Sequence, residues 1–309
     1  MADPVAEKAP SFLTGIQYEH LVAGLTGGVT ATLITHPFDL LKLRFAVHDG
    51  VNKTGRPKYR GVLHAIKSVI RDDGVLGLYR GANAHVFGSG LSWGLYFFFY
   101  NALKFHFQAG DVNQQLSASS HLLCASLSGS VILTMTNPIW VVKTRLCLKD
   151  TDSVPEHMRY KGLRDGLVNL YRYEGLRGCY KGYFPGLLGV SHGALQFMFY
   201  EELKKAYCNY YNILLTTKLG TLEYLSMAAM SKVVAASLTY PFLVLRARLQ
   251  DQDQRYTSTL DTFKRILRHE GVRGFYKGLS PNLIKVVPAT CITFLIYENL
   301  SAYLLGRWR

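Results

Sequence analysis

The chain has 309 residues, of which 49% are hydrophobic and 28 are glycine. Its 35 Lys and Arg residues outnumber 21 Asp and Glu residues, a balance that would suit nucleic acid, anionic lipid or an anionic solute as partner. The five cysteines stand singly with no CxxC pair, which argues against a metal site and a disulfide framework. The first residues carry neither an Arg-rich amphipathic stretch nor an apolar signal segment, so we expect no cleaved targeting sequence.

Six stretches of the chain carry at most one charged residue. A helix that spans a membrane needs about 20 mostly apolar residues, so these stretches predict an all-α membrane protein. Several are diluted by Gly, Ser and Thr at GxxxG-like spacing, which favours close helix–helix contact. In chain order they are 21–35, 81–103, 112–142, 182–200, 224–245 with only Lys232, and 281–297 with only Lys285.

The connections between these stretches alternate in charge. Three long connections hold 20 of the Lys and Arg residues, whereas two short ones hold only one. This bias places the long connections together on one side of the membrane. Each also contains an amphipathic stretch that predicts a short helix along the membrane surface. The long connections are 48–82, 149–181 and 251–277, and the short ones are 105–118 and 206–222.

Two motifs each occur three times in the same order, which indicates an internal repeat. The first is PFDLLKLR (37–44), PIWVVKTR (138–145) and PFLVLRAR (241–248). The second is DGVLGLYRG (73–81), EGLRGCYKG (174–182) and EGVRGFYKG (270–278). We divide the single domain into repeats at 12–110, 111–212 and 213–309. Because Pro37, Pro138 and Pro241 lie inside helical patterns, each is predicted to kink its helix.

These motifs resemble the mitochondrial carrier family over essentially the whole chain. The family signature P-x-[DE]-x-x-[KR] is matched by Pro37, Asp39 and Lys42, whereas Trp140 and Leu243 replace the acid in the other repeats. The Trp, with the segments 91–101, 191–204, 246–252 and 286–299, resembles the branch that carries folates, FAD and related nucleotides. The resemblance implies a three-fold pseudo-symmetric bundle of six transmembrane helices with three short matrix-side helices.

The resemblance also implies the activity of the protein and its location in the cell. We expect a multi-pass protein of the mitochondrial inner membrane, a monomer, that moves a planar anionic metabolite by alternating access. Tetrahydrofolate and FAD are the expected substrates, and NAD, pyrimidine nucleotides and coenzyme A are the alternatives. FAD or folate would be cargo, so no cofactor is expected.

The resemblance places a matrix gate at the ends of the first, third and fifth spans. In the family an acid of one repeat pairs with the base of the next, which implies an Asp39–Lys143 ion pair. Trp140 would then face Arg246 in a cation–π contact, worth about 1–2 kcal/mol when desolvated. The expected gate residues are Asp39, Lys42, Lys143, Trp140, Arg246 and Gln250.

Two of these gate residues are expected to lie outside the ion pairs of the gate. Because Leu243 replaces an acid, Lys42 is expected to lack an acidic partner. Gln250 stands nine residues after Pro241, where the family often has a glutamine that braces the gate.

The resemblance places a cytoplasmic gate on the even-numbered spans, through the pattern [FY]-[DE]-x-x-[KR]. Two departures from this pattern fall on one pair, in which both charges are replaced by groups that can still hydrogen-bond. An exposed helix face with weak surface ion pairs is the alternative interpretation. The expected pairs are Lys104 with Glu201, Lys204 with Glu298, and Ser301 with Asn101.

Isolated charges within spans are candidates for substrate binding. Helical spacing puts Lys232 on the same face as Arg246, and Lys285 is the single charge of the sixth span. Both lysines would hold carboxylate or phosphate in a water-filled cavity, unless they extend to the membrane interface instead.

The family's substrate contacts lie midway along the even-numbered spans. Counting along this chain, they imply Gly88, Ser89, Gly189 and Lys285. Small residues on two sides and a lysine on the third leave room for a bulky planar ligand, and the ring of Trp140 could stack on it.

The Tyr-basic-Gly triplets resemble the family's cardiolipin motif. The N-terminus of a helix offers free N–H groups to phosphate, so a lipid headgroup would bind there. The implied glycines are Gly61, Gly81, Gly162, Gly182 and Gly278.

Two other classes of function compete with a solute carrier. A membrane scaffold that has lost transport is disfavoured by the gate motifs and the charges within the spans. An enzyme or a nucleic-acid binder is disfavoured because no HExxH, GxSxG or Walker motif occurs and the basic residues recur by repeat.

Overall fold

The computed structural model describes residues 18–48, 59–108, 117–148, 159–214, 220–252 and 256–307, and their regular structure is entirely helical. Two short 3-10 helices, Val75–Tyr79 and Val272–Tyr276, follow α2 and α9. The α-helices are α1 (Tyr18–Val47), α2 (Val62–Asp73), α3 (Ala82–Phe107), α4 (Ala118–Cys147), α5 (Leu163–Cys179), α6 (Tyr183–Gly189), α7 (Ser191–Tyr211), α8 (Thr221–Gln250), α9 (Thr259–Glu270) and α10 (Leu279–Arg307).

One order of helices occurs three times along the described chain. A long helix with the proline motif comes first (α1, α4 and α8, the odd helices), then a short helix (α2, α5 and α9). A second long helix completes each set: α3, α6 with α7, and α10, the even helices. Between α6 and α7, Val190 keeps helical dihedral angles of φ −61° and ψ −28°, so the two run on as nearly one helix.

The long helices close into a ring. α3 packs on α4, α7 on α8, and α10 returns to α1. The three odd helices also contact one another. They meet at the end that carries the proline motifs, here called the motif end, where Leu40, Val141 and Val244 are fully buried. The motif end is therefore the packed end of the bundle.

The three motif prolines lie inside continuous helices and not at helix ends. α1 runs on from Pro37 to Val47, and α4 and α8 likewise continue beyond Pro138 and Pro241. A proline removes one backbone donor from the helix, which is the usual cause of a bend. The kinks themselves remain a prediction.

A glycine lets the start of each even helix approach an odd helix of another repeat. Gly278, just before α10, has φ +87°, and a Cβ there would lie 2.5 Å from the carbonyl oxygen of Lys42 in α1. Its equivalents Gly81 and Gly182 also have positive φ, and a Cβ on them would lie 3.3 Å from Lys143 O in α4 and 3.0 Å from Arg246 O in α8. A side chain at these positions would separate the helices, so glycine is what brings the even helices within reach of the proline motifs.

The outside of the described bundle is apolar. On α3, for example, Trp93, Phe97 and Phe98 are each more than half exposed. Exposed apolar surface of this extent is typical of a membrane or protein contact. Two helices of the described chain, over Ser119–Cys147 and Leu222–Gln250, are long and apolar enough to span a membrane by composition, with mean hydropathies of 1.4 and 1.5.

Candidate transport cavity and gate

A cavity of about 500 Å³ lies between the long helices, above the motif end. Five residues expected to bind substrate line it: Trp140, Gly189, Lys232, Arg246 and Lys285. The other two, Gly88 and Ser89, are not among its lining residues. Gly88 is buried under Trp140, and a Cβ on it would lie 3.7 Å from the indole ring. The cavity is markedly cationic, since Lys42 also lines it.

Directly below the cavity, each odd helix meets the even helix of another repeat at one of three equivalent junctions. The α1–α10 junction is charged: Asp39 Oδ1 lies 2.5 Å from Lys285 Nζ and 3.5 Å from Lys42 Nζ. Lys42 also donates a hydrogen bond of 3.2 Å to Asn282 Oδ1. Every cation of this junction therefore has a partner.

This arrangement corrects two expectations. The Asp39–Lys143 ion pair is not formed; Asp39 pairs with Lys285, because α10 packs closely along α1 and brings that lysine to the carboxylate. Lys42 does not lack a partner, because it reaches both Asp39 and Asn282.

The α4–α3 junction is aromatic. The ring of Trp140 packs edge-on against His85, with 5.9 Å between centroids. The expected cation–π contact between Trp140 and Arg246 is not formed. The indole instead turns towards α3, where the missing side chain of Gly88 leaves space for it.

The α8–α6 junction holds a cation without an acid. Arg246 donates a hydrogen bond of 3.1 Å to Asn137 Oδ1, and its guanidinium lies on the bare backbone of Gly186. Lys232 lies on the same face of α8, further into the cavity. It makes no hydrogen bond or ion pair within the described part of the chain. These two cations are therefore available to an anion from the cavity.

A layer of three equivalent arginines lies below the junctions. Each donates through Nε to a carbonyl oxygen near the end of another odd helix and so joins two repeats. The pairs are Arg44 to Cys147 at 3.2 Å, Arg145 to Gln250 at 2.9 Å, and Arg248 to Ala46 at 3.0 Å.

The same arginines bind an acid of their own repeat. Arg145 forms a two-pronged contact with Glu174, and Arg248 does so with Glu270 at 2.5 and 2.9 Å. Burial opposes ionisation of both glutamates. The hydrogen bonds and charge of the arginines, with Lys181 or Lys277, outweigh burial and hold the pKa of each glutamate below its ordinary value.

Gln250, the expected brace, is fully buried in this layer. Its Oε1 accepts a hydrogen bond of 2.8 Å from Thr144, and its Nε2 donates to the carbonyl of Lys181 at 3.4 Å. It thus links α8 to α4 and to the loop after α5.

The opposite end differs from the motif end. The expected Lys104–Glu201 ion pair is absent from the part of the chain that the structure describes, and Asn101 is exposed there. The side chains of Glu298 and Ser301 lie outside the described residues, so the pairs with Lys204 and Asn101 stay predictions. The described contacts therefore close only the motif end.

The five glycines expected at lipid sites precede helices. Gly61 and Gly162 cap the N-termini of α2 and α5, Gly81 and Gly182 those of α3 and α6, and Gly278 precedes α10. This placement is the one that phosphate binding requires. Lipid binding itself remains a prediction.

The sequence interpretation missed two histidines, the buried His36 and the half-buried His85. His36 immediately precedes Pro37, and its Nε2 donates a hydrogen bond of 3.0 Å to the carbonyl of Arg80. Asn137 and Tyr240, which precede the other two prolines, bond the equivalent carbonyls of Lys181 and Lys277. This threefold pattern could have drawn attention to His36; nothing in the sequence pointed to His85.

A helical bundle closed at one end around a cationic cavity is the architecture of a solute carrier. The family model for mitochondrial carrier protein matches the chain three times, over residues 17–111, 114–211 and 217–308. The chain therefore belongs to the mitochondrial carrier family, whose members are transporters and not enzymes.

Several characterised relatives cover almost the whole chain. The chain is 41% identical to folate transporter 1, chloroplastic, of Arabidopsis thaliana, over 92% of this chain and 94% of the relative. It is 35% identical to nicotinamide adenine dinucleotide transporter 1, chloroplastic, of the same plant, over 92% and 91%. It is 33% identical to the mitochondrial FAD carrier protein of Saccharomyces cerevisiae, over 93% and 97%.

Proposed function

We propose that this chain transports a planar, anionic, cofactor-type metabolite, folate or FAD, across the mitochondrial inner membrane by alternating access. The observation that carries the proposal is the pair of cations, Lys232 and Arg246, that face the cavity with no acid bound to them. Cations left without an acid in a membrane-embedded cavity are costly unless an anion binds them during the working cycle.

The shape of the cavity supports a flat ligand. Trp140 presents its indole on one wall, and Gly186 and Gly189 leave another wall without side chains. A carboxylate or phosphate on Lys232 and Arg246 would place an attached heteroaromatic ring between these walls. Stacking on an aromatic side chain contributes about 0.5–1.5 kcal/mol beyond the buried area.

The relatives support a cofactor-type substrate for this chain. One relative is a folate transporter, one an FAD carrier and one an NAD transporter. All three cargoes combine a flat ring system with anionic groups, so the same cations and indole would serve each of them. NAD is therefore retained as the second candidate, ahead of pyrimidine nucleotides and coenzyme A.

Alternating access assigns opposite roles to the two ends of the bundle. The junctions and the arginine layer form the closed matrix gate, with the cavity open to the other side. To release substrate into the matrix, the contacts between repeats must separate, whereas the Arg145–Glu174 and Arg248–Glu270 contacts within repeats can persist. We propose a monomer with cardiolipin at the capping glycines.

Uptake into proteoliposomes tests the proposal. The purified chain would be reconstituted and supplied with labelled FAD, 5-formyltetrahydrofolate, NAD, UTP and coenzyme A in turn, each against the same compound inside. We expect saturable uptake of FAD or the folate that exceeds uptake of the others and is absent from empty liposomes. Uptake of none of the five would contradict the proposal and favour a transport-inactive scaffold.

A further inference from the structure

A cluster of ionisable groups at the matrix gate has no role in the substrate site. His36 and His85 face each other with 3.4 Å between their Nδ1 atoms, and His85 Nδ1 lies 3.7 Å from Asp39 Oδ2. Asp39 is only 2% exposed, and its Oδ2 makes no hydrogen bond. A buried carboxylate oxygen without a donor is rare and calls for an explanation.

The contacts fix where the protons lie. A carbonyl only accepts hydrogen bonds, so the contact with Arg80 O requires the proton of His36 on Nε2. Neutral His36 then has a bare Nδ1, and the 3.4 Å contact requires His85 to donate its Nδ1–H. Asp39 Oδ2 lies 3.7 Å from the same His85 Nδ1, and His85 Nε2 is bonded to nothing in the described part of the chain. His85 can therefore accept one more proton, at Nε2.

The charges around His85 decide when it does so. His36 and Asp39 face it from α1, Trp140 and Lys143 from α4, and Lys285 from α10, with Lys42 beyond Asp39. In this arrangement the one carboxylate among these groups is already bound by Lys285 at 2.5 Å and by Lys42 at 3.5 Å.

A substrate anion changes this balance. Lys285 lines the cavity, so an anion bound there competes with Asp39 for the same ammonium group. Asp39 would then keep only the more distant Lys42, 3.5 Å from its Oδ1, and would lie buried beside His85 with part of its negative charge uncompensated. A proton on His85 Nε2 compensates this charge, and the Nδ1–H turns from His36 to the vacant Oδ2 of Asp39.

We propose that His85, oriented by His36 and aimed at Asp39, is a proton-binding site that couples proton entry to entry of the anionic substrate. The proton comes from water on the side to which the cavity is open and travels with the anion. This inference rests on the proposed function, because it requires an anion to reach Lys285. Linkage makes the effect reciprocal: a proton on His85 strengthens anion binding, and the anion strengthens proton binding.

A pH gradient across proteoliposomes tests the coupling with FAD as probe. With one proton per substrate, acidifying the outside by one pH unit should raise the steady-state ratio of internal to external FAD roughly tenfold. His85→Gln should lose this response, whatever its transport rate, because a steady-state ratio does not depend on speed. His64→Gln, on an exposed position of α2, is the matched control and should keep it. Wild-type uptake without any gradient response would overturn the coupling but leave the proposed function intact.

A measurement without substrate separates the two proposals. Lys285→Ala removes the nearer of the two lysines bound to Asp39, as an anion would, so the imidazole NMR titration midpoint of His85 should rise by roughly one pH unit or more. Asp39→Asn in the same background should reverse the rise. If no probe is transported and the midpoint still rises, the substrate assignment fails and the proton site stands; an unmoved midpoint overturns the proton site.

Discussion

The α1–α10 and α8–α6 junctions occupy equivalent places in the bundle but differ in charge balance. At the first, Lys285 and Lys42 are bound to Asp39 and Asn282. At the second, Arg246 has only the neutral Asn137. One threefold framework therefore holds two kinds of junction: in one the cations are neutralised by a carboxylate, and in the other the described residues leave the cation without an acid. Under the proposed function, the first would hold the gate closed and the second would bind the substrate.

The α4–α3 junction lies between these extremes. Trp140 takes the place of an acid and fills the space over Gly88, so this junction is closed by packing and not by charge. Threefold symmetry is thus kept in the backbone and lost in the side chains of the three junctions.

Removing the free cations should have the largest effect on transport. Arg246→Gln and Lys232→Gln each remove a charged hydrogen-bond donor, worth about 1.5–3 kcal/mol, from an anionic ligand. Initial uptake should therefore fall roughly 10- to 100-fold. Lys264→Gln, on an exposed position of α9, is the control. Wild-type uptake in both cavity variants would show that the uncompensated junction does not bind substrate.

Making the compensated junction resemble the uncompensated one is the next test. Asp39→Asn leaves Lys285 without its carboxylate, and we expect a loss of about 2–3 kcal/mol of stability, moderated by the 23% exposure of the Lys285 side chain. The apparent KM for the anion should fall because Lys285 becomes available. Unfolding temperature and KM, measured beside Asp261→Asn on the surface, check both; an unchanged unfolding temperature would contradict a gate role for Asp39.

The aromatic junction should tolerate a smaller ring better than a charge. Trp140→Phe keeps a face for stacking, so uptake should fall only roughly two- to threefold. Trp140→Glu would place a carboxylate near the bound anion and should lower uptake further. Trp93→Phe, on the exposed side of α3, is the control. Equal uptake by the Glu variant and the wild type would exclude a contact between Trp140 and the substrate.

The arginine layer predicts an acid-sensitive stability. Because the pKa values of Glu174 and Glu270 are depressed, their stabilisation is full above the unfolded value of about 4.3 and is lost as the pH falls through the folded values. Unfolding temperatures measured from pH 7 to 3 should therefore fall steeply on the acid side. In Glu270→Gln the same curve should be lower at pH 7 and flatter below pH 4; a curve as steep as the wild type's would disprove this contribution.

The smallest effect on stability is expected at the acid that binds the arginine of the first repeat, which is shorter than its counterparts in the other two repeats. Arg44 Nη2 reaches Asp73 Oδ2 at 3.5 Å, whereas the glutamates of the later repeats bind both prongs of their arginines. Asp73→Glu adds the missing methylene and should stabilise the chain by about 0.5–1 kcal/mol, seen as a slightly higher unfolding temperature. A lower unfolding temperature would show that the shorter acid is the better fit in that repeat.

The helical repeats, the position of each proline motif and the isolated cations could all be predicted from the sequence. Pro37, Pro138 and Pro241 mark equivalent helices because local spacing is written directly in the chain. Helical periodicity also put Lys232 and Arg246 on one face, and both line the cavity. These features depend on residues within a few turns of one another, so they can be derived without knowing how the helices pack.

The partners of these residues, by contrast, depend on how the helices pack. The sequence paired Asp39 with Lys143 and placed Lys285 in the substrate cavity, whereas the observed pairing of Asp39 with Lys285 follows from how α10 lies along α1. Trp140 met His85 and not Arg246 because Gly88, on a different helix, left room on that side. A contact across repeats depends on distances of a few ångströms between helices far apart in the chain. Periodicity fixes the face of a helix, but not which neighbour that face meets.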